Sequence, residues 1–215
     1  MKLFVWDFHG VLEKDNDLAV LDISNSVLAL HGYRERFSPE ENKAYYGLKW
    51  YEYFERLLPN LSNKEHMALQ AACFKFAEDN LDILEKHIKP NDHAITVLRA
   101  ISEAKHDQIL LSNTRPHDLL WFVKTVGIEA YLPESKIFGV NAHQQHGSKK
   151  EALKHYLTDK NYDTIIIIGD SASDMELKSA SNGVTYFYSH PHIKLNKIVK
   201  ADYVITDLRK LLQEV

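Results

Sequence analysis

Apolar and polar positions along the chain fall into two kinds of block. Six short, nearly all-apolar runs stand out: "KLFVWD" (2–7), "DQILLSN" (107–113), "KIFGV" (136–140), "DTIIIIGD" (163–170), "GVTYFY" (183–188) and "ADYVITD" (201–207). Continuous apolar runs of this length mark parallel strands buried on both faces. Stretches with helical spacing separate them. The alternation predicts an α/β fold, a doubly wound (Rossmann-like) parallel sheet with helices on its faces. Ligands bind such sheets beyond the carboxyl ends of the strands. That rule directs attention to Asp7, Ser112 and Asp170, each at the end of its run.

Residues 14–89 interrupt the alternation and contain no convincing strand. Val20, Ile23, Val27 and Leu30 form one apolar stripe at helical spacing, and Phe74, Ala77, Leu81 and Leu84 form another. "SPEE" (38–41) supplies an N-cap serine, a proline in the first helical position and a capping-box glutamate, and "SNKE" (62–65) offers a second capping box. The expected organisation is an α/β core of residues 1–13 and 90–215 with an all-helical insert, 14–89. An insert placed directly after a candidate active-site strand is suited to act as a lid or cap.

Composition narrows the function classes. The chain has 215 residues, 45% apolar and 26% charged, with a formal net charge of −4. No Lys/Arg run offers a nucleic-acid face. No apolar run approaches a membrane span, and "MKLFVWDF" is charged too early for a signal peptide. The expected location is cytoplasmic, with no nucleic-acid and no membrane partner; oligomeric state is not set. The single cysteine, Cys73, excludes an internal disulfide and sits in an apolar helical pattern, as a buried structural thiol does.

The strand ends carry the candidate chemistry. Asp7 is a possible nucleophile or metal ligand. "GDSASD" places Asp170 at a strand end and Asp174 shortly after it, with Ser173 and Glu176 as a capping box that puts Asp174 in the first helical turn. Three carboxylates converging on one sheet edge repel one another, and a hard divalent cation such as Mg²⁺ relieves that repulsion. Ser112 and Asn113, ending the second core run, offer a hydroxyl and nearby N–H groups for an anionic oxygen. Ser148 and Glu151 form a capping box that sets Lys149 and Lys150 in a first helical turn, where a cation disfavours the helix dipole but suits an anion site. A carboxylate nucleophile, a hydroxyl, a lysine and two metal-binding carboxylates together suit in-line phosphoryl transfer to Asp7 and hydrolysis of the aspartyl-phosphate.

These residues resemble the four motifs of the haloacid dehalogenase (HAD) superfamily, in order: "DFHGVL", "LLSNT", "SKKEAL" and "IIIIGDSASD". The helical insert resembles the family's C1-type helical cap. The resemblance implies Asp7 as nucleophile and Mg²⁺ ligand, and the backbone carbonyl of His9 as a second ligand. Asp170 and Asp174 complete the metal site. Ser112 with Asn113 holds the phosphoryl group, and Lys149 is the motif-three lysine, with Lys150 as the alternative. The implied activity is a Mg²⁺-dependent phosphohydrolase acting on a small phosphorylated metabolite.

His9 is the departure. Family phosphatases carry a second aspartate there, which protonates the leaving group and then activates water. Imidazole titrates near pH 6.5 and can take over that acid/base role. A catalytically weak or non-enzymatic binding protein is the alternative reading, and a metal-independent dehalogenase ranks below both, since "GDSASD" retains the metal-binding pattern. "HQQH" (143–146) and "HPH" (190–192) read as solvated loops. The aromatic stretch "YYGLKWYEYF" (45–54) reads for the most part as packing between insert and core, and Arg115 as a surface ion pair.

Overall fold

The structure is a computed structural model of the chain, and it describes residues 1–46, 48–140, 148–190 and 199–215. The chain separates into two compact units: residues 1–14 with 89–215, and residues 15–88.

All six apolar runs become strands of one parallel sheet in the first unit. They are β1 (Lys2–Trp6), β4 (Asp107–Ser112), β5 (Ile137–Gly139), β6 (Thr164–Gly169), β7 (Val184–Tyr188) and β8 (Tyr203–Ile205), in the order β5-β4-β1-β6-β7-β8. β1 lies between β4 and β6, and Leu3, Phe4, Val5 and Trp6 are all buried, which is why it reads as a continuous apolar run. One sheet face forms a core of Leu3, Val5, Ile109, Leu111 and Ile167 with Leu153, Tyr156 and Leu177. The helices of this unit are α6 (Ala94–Glu103), α7 (Pro116–Thr125), α8 (Lys149–Leu157), α9 (Ala172–Met175) and α10 (Lys178–Ser181). A short 3₁₀ helix, Leu208–Glu214, closes the chain and packs beside α6.

A two-residue antiparallel ribbon has no counterpart among the predicted strands. β2 (Glu13–Lys14) pairs with β3 (Lys89–Pro90), where the chain leaves and re-enters the sheet unit. Two-residue strands are too short to show any period, so the sequence pattern does not announce them.

The second unit holds α1 (Asn16–Leu30), α2 (Pro39–Ala44), α3 (Trp50–Leu57), α4 (Asn63–Asp79) and α5 (Leu81–His87). The capping boxes at Ser38 and Ser62 form as read, each with the glutamate three residues on. The two apolar stripes need correction. The buried face of α1 runs through Ala19, Ile23 and Val27, four residues apart, while the terminal Leu30 is 73% exposed. The second stripe is broken, because the chain leaves helical geometry at Asn80. The Asn80 amide donates to the Phe76 carbonyl at 2.8 Å, satisfying the end of α4 in place of a continued helix. The buried face of α4 is His66, Leu69, Gln70 and Cys73. The aromatics of residues 45–54 pack inside this unit: Tyr45 on Tyr53 at 5.5 Å, and Trp50 on Phe74 at 5.4 Å.

Candidate active site

The register of β1 and β6 builds the site. Trp6 lies opposite Ile168, and the Asp7 N–H donates to the Ile168 carbonyl at 2.9 Å, extending the ladder by one residue. Asp7 and Asp170, each just past its strand, therefore emerge at the same sheet edge. Asp174 reaches them from α9. The N-cap of that helix is Ser171, with Asp174 as its capping-box partner, and not Ser173 with Glu176 as the sequence suggested. The helix begins two residues earlier because Ser171 follows the strand directly, and both serines satisfy the cap pattern on paper. The shift divides the labour of Asp174. Its Oδ2 accepts from the Ser171 N–H at 3.2 Å and hydroxyl at 2.5 Å, while Oδ1 is left for the site. Gly169 makes this approach possible, since a Cβ there would lie 2.2 Å from the Asp174 Cβ.

One carboxylate oxygen from each of Asp7, Asp170 and Asp174 lies within 4.8 Å of the others. Lys149 bridges two of them, its Nζ at 2.5 Å from Asp7 Oδ1 and 2.7 Å from Asp174 Oδ1. The Ser148–Glu151 capping box fixes it as the first residue of α8, and it is buried, whereas Lys150 is exposed. The geometry thus separates the two lysines.

Three carboxylates near one ammonium leave excess negative charge in a largely buried site. Burial, then the neighbouring Asp174 and Asp170, push the Asp7 carboxyl up to about 7, against the opposing pull of Lys149. Burial disfavours the Lys149 cation, but the Asp7 and Asp174 carboxylates outweigh it and hold the ammonium above the ordinary lysine range. Both shifts have one origin, a surplus of negative charge that a single cation offsets only in part. Clustered hard oxygen donors of this kind suit a divalent cation such as Mg²⁺.

Ser112 ends β4, the strand beside β1, and is buried; its hydroxyl lies 2.9 Å from that of Thr114. Asn113 is exposed in the bend that follows. Arg115 pairs with Asp118 at 2.5 Å, as a surface ion pair does.

The turn after Asp7 is tightly held. The N–H groups of Val11, Leu12 and Glu13 all converge on the Phe8 carbonyl, and Gly10 takes a left-handed φ of 78° that glycine adopts without strain. Asn91, just past β3, donates its amide to the carbonyls of Val11 at 2.8 Å and Gly10 at 3.3 Å. His9 sits in this turn. Its Nδ1 is 3.0 Å from Glu13 Oε1, and its ring meets Phe8 and Phe122 edge to face, each at 5.1 Å.

Two residues near the site escaped sequence reasoning. Glu13, 0% exposed, is one; its i, i+4 spacing from His9 was the available signal. The other is His190, read as part of a solvated loop. Its Nε2 lies 2.8 Å from Asp170 Oδ2 and its side chain is largely buried. The partners stand twenty residues apart on either side of β7, so no local pattern links them. Residues 191–192 of that histidine motif, and all of "HQQH", lie outside the described residues.

A parallel α/β sheet with aspartates and a lysine gathered at its carboxyl edge defines a class of hydrolase scaffold. Residues 4–186 match the haloacid dehalogenase-like hydrolase family, and the chain belongs to that family. None of the curated proteins matches it. Among solved structures it is similar to a haloacid dehalogenase-like family hydrolase from Streptococcus pneumoniae, at 13% identity and a TM-score of 0.80, with 99% of this chain and 97% of that one covered. A haloacid dehalogenase-like protein of unknown function from Agrobacterium tumefaciens matches at 19% identity and a TM-score of 0.73, covering 99% and 96%. A protein described as a predicted phosphoglycolate phosphatase, from Haemophilus somnus, matches at 14% and 0.78, covering 99% and 96%. Likenesses at such identities establish the fold alone. Among the described residues no helix is long and apolar enough to cross a membrane.

Proposed function

We propose that the chain is a cytoplasmic, Mg²⁺-dependent phosphohydrolase for a small phosphorylated metabolite, working through an aspartyl-phosphate on Asp7. The observation that carries this reading is the cluster itself: three carboxylates within 4.8 Å, with Lys149 set between Asp7 and Asp174. Asp7, Asp170, Asp174 and the backbone carbonyl of His9 would hold the Mg²⁺, which when bound offsets charge on the phosphoryl oxygens. The aspartates fit that ion by donor type and spacing.

The chain's own residues carry the steps. A carboxylate oxygen of Asp7 attacks phosphorus, and the bond to the leaving oxygen breaks. His9 gives its Nε2 proton to that leaving oxygen. In the second half His9 takes a proton from the attacking water, the Asp7–phosphorus bond breaks, and phosphate and free Asp7 result. Lys149, Ser112 and Asn113 hold the phosphoryl oxygens throughout. Residues 14–89 serve as the helical cap that selects the substrate.

The test is phosphate release from p-nitrophenyl phosphate and a panel of phosphorylated metabolites, with and without Mg²⁺. Turnover that needs Mg²⁺ and disappears in Asp7→Asn is expected. Turnover surviving in Asp7→Asn, or no Mg²⁺-dependent release across the panel, overturns the reading.

A further inference from the structure

A glutamate buried at 0% exposure just beyond a tight turn is an unfavourable choice for folding alone. The two oxygens of Glu13 are used unequally. Oε1 accepts the Gly10 N–H at 3.0 Å and faces His9 Nδ1 at the same distance, while Oε2 is buried without a partner among the described residues. An apolar residue would pack this position without stranding a polar atom.

We infer that Glu13 is a positioning residue for His9, fixing the proton of the imidazole on Nδ1 so that Nε2 is the nitrogen offered to substrate. The inference rests on the acid/base reading of His9 given above. An ionised carboxylate oxygen only accepts, so with Glu13 ionised the contact at 3.0 Å calls for the proton on Nδ1. Phe8 and Phe122, both at 5.1 Å, close on the ring edge to face and restrict its rotation. The side chain stays 28% exposed, so one part of the ring still meets solvent.

This arrangement answers what the aspartate-to-histidine change demands. A carboxylic acid has two equivalent oxygens and works in either orientation. An imidazole has two distinct nitrogens, and the wrong tautomer puts a lone pair where a proton must be given. With Nδ1–H held on Glu13, Nε2–H protonates the leaving oxygen as that bond to phosphorus breaks. The neutral ring then presents an Nε2 lone pair, which takes a proton from the water attacking the aspartyl-phosphate. The Nδ1–H···Glu13 bond persists through both halves and the proton count closes.

Two measurements decide it. The first is nitrogen-15 NMR of the imidazoles in the metal-free full chain at about pH 8, where ordinary imidazoles are neutral, with His9 assigned by its loss in His9→Asn. The expected result is an Nδ1–H ring in the native chain that moves toward the Nε2–H form in Glu13→Leu. A native ring protonated on Nε2, or one unmoved by that substitution, overturns the inference.

The second measurement uses the isosteric Glu13→Gln, which keeps an acceptor for Gly10 and preserves the turn if the leucine variant does not fold. A neutral amide holds the charged ring less well than a carboxylate. The expected loss in kcat is about tenfold or more with KM little changed. It should be larger on phenyl phosphate than on p-nitrophenyl phosphate, because the more basic leaving group needs the proton more. In a His9→Ala background the same substitution should cost nothing further. Equal fractional losses in both backgrounds mean that Glu13 serves only the fold, and overturn the inference. A native chain that releases no phosphate sinks the phosphohydrolase reading instead, and the tautomer measurement still decides whether Glu13 sets the ring.

Discussion

Replacing Lys149 by methionine tests the electrostatics of the site directly. The side chain keeps its length and loses its charge, so packing changes little while both contacts, at 2.5 and 2.7 Å, vanish. Removing one partner of a buried ion pair costs about 3–5 kcal/mol, because the remaining charge is left uncompensated. Here the lower end applies, since burial and its acidic neighbours push Asp7 up to about 7, and it can escape part of the penalty by taking up a proton. A loss of about 3 kcal/mol near pH 8 corresponds to about 6–12 °C in Tm for a chain of this size. The sign with pH follows from the raised Asp7 value. A carboxyl raised on folding adds stability below its unfolded value near 4, and that contribution disappears as pH rises through about 7. The Asp7 share of the deficit of Lys149→Met should therefore be small near pH 5 and grow through neutrality, so the total deficit rises with pH. Thermal melting in chelator, followed by circular dichroism across that range, measures it. Added Mg²⁺ should raise the Tm of the variant more than that of the native chain, as a ligand taken up by a more negative site does. Lys150→Met, at an exposed neighbour, should melt like the native chain. A Lys149→Met chain as stable in chelator as the native one, or equal losses at both lysines, would refute the charge-surplus account of the cluster.

Three further outcomes are expected. Gly169→Ala would drive a methyl into Asp174 Cβ and Cγ, at 2.2 and 2.5 Å. It should cost about 1–3 kcal/mol in thermal unfolding and weaken Mg²⁺ binding by calorimetry; a variant with native values in both would show that Asp174 has room to move. Asp202 is held down to about 2, chiefly by the Lys178 ammonium and also by the Thr185 N–H and hydroxyl. Its contribution is present above the unfolded value near 4 and is lost as pH falls toward about 2, so the urea midpoint of Asp202→Asn should converge on the native midpoint in acid and lie below it at neutral pH. Cys73 is fully buried and burial pushes its thiol up, so a thiol reagent should label it at the rate of unfolding and not before; fast labelling of the folded chain would contradict the packing of α4.

What the sequence made legible was set by the range of the interactions involved. The six strands could be read because each announces itself as a short apolar run, even β8 at the sheet edge, where Tyr203 and Val204 are exposed, and their ends picked out Asp7, Asp170 and Ser112. Capping boxes at Ser38, Ser62 and Ser148 were equally local, each closed within four residues. The box before Asp174 was misplaced by two residues because "SASD" offers two serines, and only the end of β6 decides between them. The apolar stripes misled where a helix ended early, at Asn80, or ran past its packed face, at Leu30. The separation of Lys149 from Lys150 needed the three-dimensional site. So did the pairing of His190 with Asp170, which crosses from one strand end to the next.

The positions that break local rules converge on one place. A lysine opens α8, where the helix dipole disfavours a cation. Asp174, a residue that caps its own helix, gives its second oxygen to Lys149 and lies close to two other carboxylates. Glu13 lies buried with one oxygen unpartnered, and Asp7 is pushed well above an ordinary aspartate. The buried carboxyls weaken the fold where they stand, and Lys149 offsets that cost only in part. Scattered through the chain they would be unrelated imperfections. Lys149 binds Asp7 and Asp174 in common, and Glu13 is joined to His9 two residues after Asp7, so they share a single strand end. Local cost concentrated at one spot is what a preorganised charge site requires, because its charges are offset by the fold only in part. On the proposed reading, a cation bound among these carboxylates would offset part of that local cost.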